Sequence, residues 1–511
     1  MTCIKDLLAG HDGAGPAIGA PGRDWLSRDG LRALSNDVAQ SLHCFGIGRG
    51  DRVAIVLPNG PEMATAFVTI AQVATTAPLN PAYREDEYVF YLEDLKARAL
   101  VLAGGYDGPA LAAGQRLGLT ILRVQVAPGA AAGAFTLSGD GAERTTGRTA
   151  DISAPGDSDV ALILHTSGTT SRPKIVPLLQ SNVSASAHNI VASLALTSTD
   201  RCLNVMPLFH IHGLLAAVSA SLAAGASIWC APGFDALKFF GWMKDAQPTW
   251  YTAVPTMHQA ILSRAGRNVD VIAATPLRFL RSSSASLPAQ VMVQLHETFG
   301  APVIEAYGMT EAAHQMCCNP LGQQKPGSVG VASGPKVRVA HESENRLIDG
   351  TGEVVISGSN VTPGYEGNAE ANAKNFFDVE GQRWFRTGDQ GAIDDDGFLH
   401  LTGRLKEIIN RGGEKVSPLE VDGVLLDHPA IAQVVTFALP HPKLGEEVAA
   451  AVVLHDGADV DEREIREFAA GRMADFKVPR KVIILDEIPK GATGKMQRIG
   501  LAEKLGLVAS A

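Results

Sequence analysis

The stretch DRVAIVLPNGPEMATAFVTIAQVA, residues 51–74, decides the fold class. Residues 51–59 read as a strand-like apolar run and residues 61–74 as a helix; a second apolar run follows at 97–105, ARALVLAGG. Strands that are apolar along their length and alternate with helices belong to parallel βα architecture, in which both faces of the sheet are covered. The N-terminal half is therefore read as α/β. The Gly- and Ala-rich segment APGAAAGAFTLSGDGAERTTG, residues 127–147, shows neither period and reads as a surface excursion.

The pattern changes twice further along the chain. From about residue 325 to 400, short strands separated by turn residues, as in GEVVISGSNVTPGYEGN (352–368) and DDDGFLHLTGR (394–404), predict a small antiparallel barrel or sheet. Beyond Arg404, AQVVTFALP (432–440) and VAAAVVLH (448–455) accompany a helix opened by Asp459 and Glu462 in capping-box spacing, which predicts a separate small α+β domain. At 511 residues and 53.6 kDa, a prior of roughly one domain per 150 residues predicts three or more lobes.

Composition narrows the function classes. Hydrophobic residues make up 46% and charged residues 19%, which suits a compact chain and not a disordered one. The net charge of −10 and the lack of a Lys/Arg cluster argue against a nucleic-acid partner. No run of about 20 apolar residues offers a membrane span, and the opening MTCIKDLLAGHDGAG lacks a leader pattern. A cytoplasmic protein is expected. Cys3, Cys44, Cys202, Cys230, Cys317 and Cys318 lack paired CxxC spacing, so reduced thiols are expected in place of zinc ligands or disulfides.

The sharpest chemical signal is LILHTSGTTSRPKIVP, residues 162–177. A strand-like apolar run opens into Thr166, Ser167, Gly168, Thr169 and Thr170, followed by Lys174. Hydroxyls and close-approaching backbone N–H groups can wrap polyphosphate oxygens, and the lysine offsets their charge. The string does not match a Walker A loop. It resembles the phosphate loop of the adenylate-forming enzymes, the superfamily of acyl-CoA synthetases, coumarate ligases, luciferases and peptide-synthetase adenylation domains.

Four further segments, in order, extend that resemblance over roughly residues 30–500. EAYGMTEAAHQM (305–316) is similar to the adenine and magnesium segment. The resemblance implies ATP binding at Glu305, adenine beside Ala306, Tyr307 and Gly308, the α-phosphate at Thr310, and Mg²⁺ at Glu311 together with Thr166. It also assigns Ser284 and Ala285 to the nucleotide. The segment at 384–425 implies that Asp389 and Arg404 bind the ribose hydroxyls and that Lys406 is the hinge. RGGEKVSPLE (411–420) resembles the thiol-tunnel loop, which implies coenzyme A near Gly412 and Gly413. PKGATGKMQR (489–498) implies that Lys495 bridges the attacking carboxylate and the α-phosphate.

The fold implied is α/β, with a large multi-lobed N-terminal domain (1–403) of βα lobes plus a small β-barrel. A hinge (404–406) joins it to a mobile small α+β C-terminal domain (407–511). ATP, Mg²⁺ and coenzyme A are the cofactors and co-substrates that the resemblance implies.

The acid is read from MPLFHIHGLLA (206–216), RSSSASLP (281–288) and His314. His210 falls where the family gates its acyl pocket and is expected to act in catalysis with Thr310 and Lys495. His212, Ser284 and His314 are expected to join His210 around the acid, with Ser282, Ser283 and Ser286 bordering the same cavity. A fatty acid gains about 0.8 kcal/mol per buried methylene and needs apolar walls. Imidazoles and hydroxyls suit instead a small acid with a second carboxylate, because burying an unpaired anion is costly. Within the superfamily these strings look most similar to oxalate:CoA ligases, which implies oxalate. The ending LVASA, unlike a peroxisomal tripeptide, agrees with a cytosolic enzyme. Malonate, an aryl acid, a medium-chain fatty acid, transfer to a carrier protein, or a regulator without turnover are the alternatives.

Overall fold

The computed structural model describes residues 2–140, 150–166, 173–489 and 496–508. The strand expected at 51–59 spans Arg52–Val56, pairing in parallel with Thr75–Pro78 on one side and Ala99–Ala103 on the other. The helix that follows, Pro61–Ile70, has proline at its first position and is buried on every residue but Glu62. A helix buried all round needs cover on every side. It finds this between two sheets, touching the Arg52–Val56 strand on one and the Pro16–Ala20 and Ser227–Cys230 strands on the other.

Among the described residues the strands form four sheets. The first has seven strands and ends at the antiparallel hairpin of Val160–Thr166 and Lys174–Leu179. The second has nine, with a parallel centre of Ser227–Cys230, Arg201–Asn204, Trp250–Ala253, Phe279–Ser283 and Val303–Met309. The helices Pro61–Ile70 and Gln180–Ser193 lie between these two sheets. Other helices cover the outer faces, Glu85–Asp94 and Pro109–Arg116 on the first, and Phe239–Ala246, Pro255–Ala265 and Ala289–Phe299 on the second. The result is an αβαβα stack.

Six antiparallel strands between Lys336 and Arg404 make the third sheet. Its long strand Gln382–Ile393 pairs along one edge with Gly352–Ser357 and divides its other edge between Phe376–Val379 and Leu399–Arg404. Serving three partners curls the sheet partway towards a barrel. The fourth sheet has five strands, all from residues after Lys406, and covers its own apolar core of Ile409, Val421, Val434, Val448, Val452 and Ile465.

Two local expectations give way to the structure. The segment at 127–147 is not merely an excursion: Thr136–Gly139 adds an edge strand to the first sheet, while Ala132 and Phe135 are buried. The last long helix begins two residues later than its sequence signal suggested. Asp461 caps Glu462–Ala470, its carboxylate accepting from the Glu464 N–H at 2.9 Å while the Glu464 carboxylate accepts from the Asp461 N–H at 3.2 Å. Both acidic pairs have the right spacing, but the second adjoins the face carrying Ile465 and Ala469. Among the described residues no helix is long and apolar enough to cross a membrane.

Candidate active site

Several of the expected site residues stand at the carboxyl ends of parallel strands, bordering the crevice in which open α/β sheets bind ligands. Thr166 ends Val160–Thr166, Ser284 follows Phe279–Ser283, Thr310 follows Val303–Met309, and the 206–212 segment follows Arg201–Asn204. Thr166 and Lys174 face each other across the hairpin, so they form the described rim of the expected phosphate loop. Ser167, Gly168, Thr169 and Thr170, and also Lys495, lie outside the described residues.

Below the rim, the His165 imidazole meets the Asp94 carboxylate at 3.1 Å and packs edge-on against Tyr91. Burial lowers the His165 pKa, against the opposing pull of Asp94. Lys174 places its ammonium 4.3 Å from the centre of the Tyr365 ring. The Tyr365 hydroxyl donates to the Glu311 carboxylate at 2.8 Å. Burial raises the Glu311 pKa, while Tyr365 and Lys174 oppose that shift. Tyr365 thus joins the expected cation of the loop to the expected metal ligand. Sequence reasoning passed over it because it stands in a run of turn residues. Its neighbour Glu366 pairs with Arg52 at 2.7 Å and fixes the segment to the first sheet.

The segment expected to border the nucleotide is held tightly. Gly308 admits no side chain, because a Cβ there would lie 2.1 Å from the His314 carbonyl oxygen. Tyr307 donates its hydroxyl to Asp389 at 2.5 Å. Asp389 and Arg404 are directly opposed across two strands, with the guanidinium 3.5 Å from the carboxylate. The two residues expected to hold a ribose are therefore brought together. Glu305 is buried; its carboxylate accepts from the Leu287 N–H at 2.8 Å, and burial pushes its pKa up to about 8. Its side chain braces the segment carrying Ser284, and the exposed Ala285 follows on that segment. Ala306 lies on the same strand as Tyr307, and Thr310 directly follows it.

The acid-side residues converge only in part. A π-helical stretch, His212–Ser219, starts at His212, an irregularity frequent at functional sites. The His212 Nδ1 lies 3.0 Å from Ser284 Oγ, and its ring centre 5.0 Å from that of His314. Ser284, Ala313 and His314 all have positive φ, at 77°, 46° and 95°. Such strain in three non-glycine residues of one cluster marks a place that the surrounding structure over-determines. His210 is half-buried with its ring against Phe209 at 4.6 Å. Among the four serines, Ser283 donates to the Ala306 carbonyl oxygen at 2.7 Å, Ser282 is buried, and Ser286 is exposed. The Ser284 hydroxyl is the one that reaches the imidazole.

Sequence reasoning missed the cation behind this cluster. Arg281 is 0% exposed, and its NH2 donates to Gln315 Oε1 at 3.0 Å. Its NH1 lies 3.4 Å from both His212 Nε2 and Thr252 Oγ1. Burial lowers its pKa to about 10, which leaves it charged at neutral pH. Among the described residues no carboxylate forms a salt bridge with it. Its sole sequence signal was its place at the head of the serine run.

Beyond the expected hinge, Gly412 and Gly413 are the two-residue turn joining Ile409–Arg411 to Glu414–Val416. Their φ values of 61° and 99° require glycine-like freedom. Lys406 lies in the turn after Leu399–Arg404. Burial lowers the Lys174 pKa, with Glu311 opposing and the nearby charge of Lys406 adding to the shift. Arg498, near the described start of the last segment, donates to Asp422 at 2.6 Å and to the Thr436 carbonyl oxygen at 2.9 Å. It also lies 3.5 Å from Glu407.

Residues 11–366 match the AMP-binding enzyme family, and residues 420–495 match the AMP-binding enzyme C-terminal domain. The chain belongs to the AMP-binding enzyme family. It is similar to the oxalate–CoA ligase of Arabidopsis thaliana, at 45% identity over 94% of each chain. The oxalate–CoA ligase of Saccharomyces cerevisiae is 41% identical, over 89% of this chain and 87% of its own. The crystal structure of ATP-bound MatB from Rhodopseudomonas palustris superposes with a TM-score of 0.86 at 28% identity, covering 98% of both chains. Its match reaches across the α/β stack, the curled sheet and the small C-terminal sheet of this AMP-binding enzyme. Among the described residues no group of three or more His, Cys, Asp or Glu is arranged to hold a metal.

Proposed function

We propose that this enzyme joins oxalate to coenzyme A, using ATP and releasing AMP and pyrophosphate, in the cytoplasm. The observation that carries the choice of acid is the buried Arg281 behind His212, His314 and Ser284, a cation without a salt-bridge partner among the described residues. An unpaired buried charge costs several kcal/mol, and the field of a second carboxylate held beyond His212 would offset part of it. The two oxalate–CoA ligases with which the chain shares more than 40% identity support the same acid.

ATP enters with its triphosphate between Thr166 and Lys174, its ribose between Asp389 and Arg404, and its adenine along Ala306, Tyr307 and Gly308. Magnesium needs few protein ligands, because it keeps waters and takes phosphate oxygens. The buried oxygen pair of Glu311 fits it, and Thr166 adds a hydroxyl oxygen. The ion supplies charge neutralisation for the triphosphate.

One oxalate carboxylate, aligned by His210 and Thr310, attacks the α-phosphorus. A C–O–P bond forms, the bond to the β-phosphate oxygen breaks, and pyrophosphate leaves with that electron pair. Lys495 is assigned to the charge that develops on phosphorus. The C-terminal unit, 407–511, then turns about Lys406 and brings the Gly412–Gly413 turn to the site. The thiolate of coenzyme A attacks the acyl carbonyl carbon, and AMP leaves as the thioester forms.

The test is AMP release dependent on both acid and coenzyme A, with oxalate, malonate, acetate, 4-coumarate and octanoate at equal concentration. Oxalate is expected to lead, and Lys495→Ala to abolish turnover. A lead for octanoate or coumarate overturns the acid assignment.

A further inference from the structure

We propose that Arg281 sets the acid specificity without touching the acid, by fixing the direction of the Thr252–His212–Ser284 hydrogen-bond chain so that Ser284 donates to the substrate's second carboxylate. This rests on the reading of the acid given above.

The direction follows from which groups can only donate. A guanidinium has no acceptor. With Arg281 NH1 at 3.4 Å from His212 Nε2, that nitrogen is favoured as an acceptor without a proton. Thr252 Oγ1 lies 2.6 Å from the same nitrogen, so its hydroxyl donates there while its oxygen receives from Arg281 at 3.4 Å. The one proton of a neutral His212 ring is then on Nδ1, pointing at Ser284 Oγ 3.0 Å away. Ser284 accepts, and its own O–H turns elsewhere.

The chain runs from interior to crevice. Arg281, Thr252 and His212 are buried, and Ser284, held at φ 77°, is partly exposed. Gln315 keeps the far end in order: its Oε1 accepts from Arg281 at 3.0 Å, and its Nε2 donates to Ser193 Oγ at 2.7 Å. Arg281 and Thr252 occupy paired positions on adjacent strands, so backbone pairing holds their side chains on one face. Without the guanidinium, His212 can carry its proton on Nε2 and donate to Thr252. Nδ1 then accepts from Ser284, which presents lone pairs to a carboxylate and repels it.

Arg281 is thus a positioning residue, and its loss is read in KM for the acid. The experiment measures the kinetics of Thr252→Val, Arg281→Lys and Arg281→Met with oxalate and with glyoxylate, an acid of similar size with one carboxylate. Arg281→Met is expected to raise the oxalate KM roughly tenfold or more, leave the ATP KM within about twofold, and shrink the preference for oxalate over glyoxylate by a similar factor, whereas Thr252→Val keeps the guanidinium at Nε2 and should change the oxalate KM by less. Arg281→Lys should recover part of what Arg281→Met loses. In parallel, 15N spectra of histidine-labelled enzyme, with His212 assigned by His212→Asn, should show His212 protonated on Nδ1. A proton on Nε2, or an unchanged oxalate KM in a folded Arg281→Met, overturns the relay. Should Arg281→Met fail to fold, the wild-type spectrum still decides. Should the wild-type enzyme ignore oxalate, the acid assignment fails, while the spectrum tests the relay separately.

Discussion

Glu305 shows how a single side chain can set the pH response of the whole fold. Burial raises its pKa from 4.5 to about 8, so the folded chain holds a proton that the unfolded chain has lost. A raised carboxyl pKa makes the folded state less stable as pH climbs from about 4.5 to about 8, with the loss complete above that window. Glu305→Gln keeps an oxygen for the Leu287 N–H and removes the ionisation. Its melting temperature is expected to fall less between about pH 6 and pH 8 than that of the wild type, as thermal melts at the two pH values would show. Tyr365 makes a different prediction. Hydrogen bonds to charged groups contribute about 1.5–3 kcal/mol, so Tyr365→Phe should cut kcat/KM for Mg-ATP by about tenfold or more. The KM for the acid should stay near its wild-type value in the same initial-rate series.

At the scale of elements, the caps and turns carry the testable content. Asp461→Ala removes the acceptor at the start of Glu462–Ala470 and should cost about 1 kcal/mol in urea denaturation, with kcat unchanged. Gly308→Ala is harsher, because its Cβ meets backbone and not a movable side-chain tip. It should displace His314 and lower kcat/KM roughly a hundredfold, while circular dichroism stays close to wild type.

The same elements show what a sequence can carry. The 51–74 unit was legible because burial on both faces writes itself as continuous apolar residues. Asp389 and Arg404 were singled out by their motif, though not as cross-strand partners, since register is a property of the folded pair. Arg281 escaped because an arginine next to three serines looks like surface; the packing of the Trp250–Ala253 and Phe279–Ser283 strands buries it. The shift from Asp459 to Asp461 at the cap has a similar origin. Two acidic pairs satisfy the local rule, and the tertiary core selects between them.

At the scale of the molecule, glutamine side chains link the α/β stack to the small C-terminal domain. Gln290 Nε2 donates to Asp427 at 2.7 Å and to the Gly423 carbonyl oxygen at 3.2 Å, and Gln259 reaches the Ala432 carbonyl oxygen at 3.4 Å. Polar contacts of this kind suit units that move relative to each other. Gln290→Ala is expected to shift the balance between ATP–pyrophosphate exchange and thioester formation from supplied acyl-AMP, lowering one several-fold more than the other. Equal losses in both half-reactions would tie Gln290 to overall stability instead.

Arg404 closes the strand that faces Asp389, and the turn holding Lys406 begins at the next residue. The proposed clasp on the sugar and the proposed pivot therefore share one short lever. Any torque applied at the pivot reaches the clasp before it reaches the rest of the stack, so a sugar seated there acts as a brake on rotation, and rotation in turn loosens the grip on the sugar.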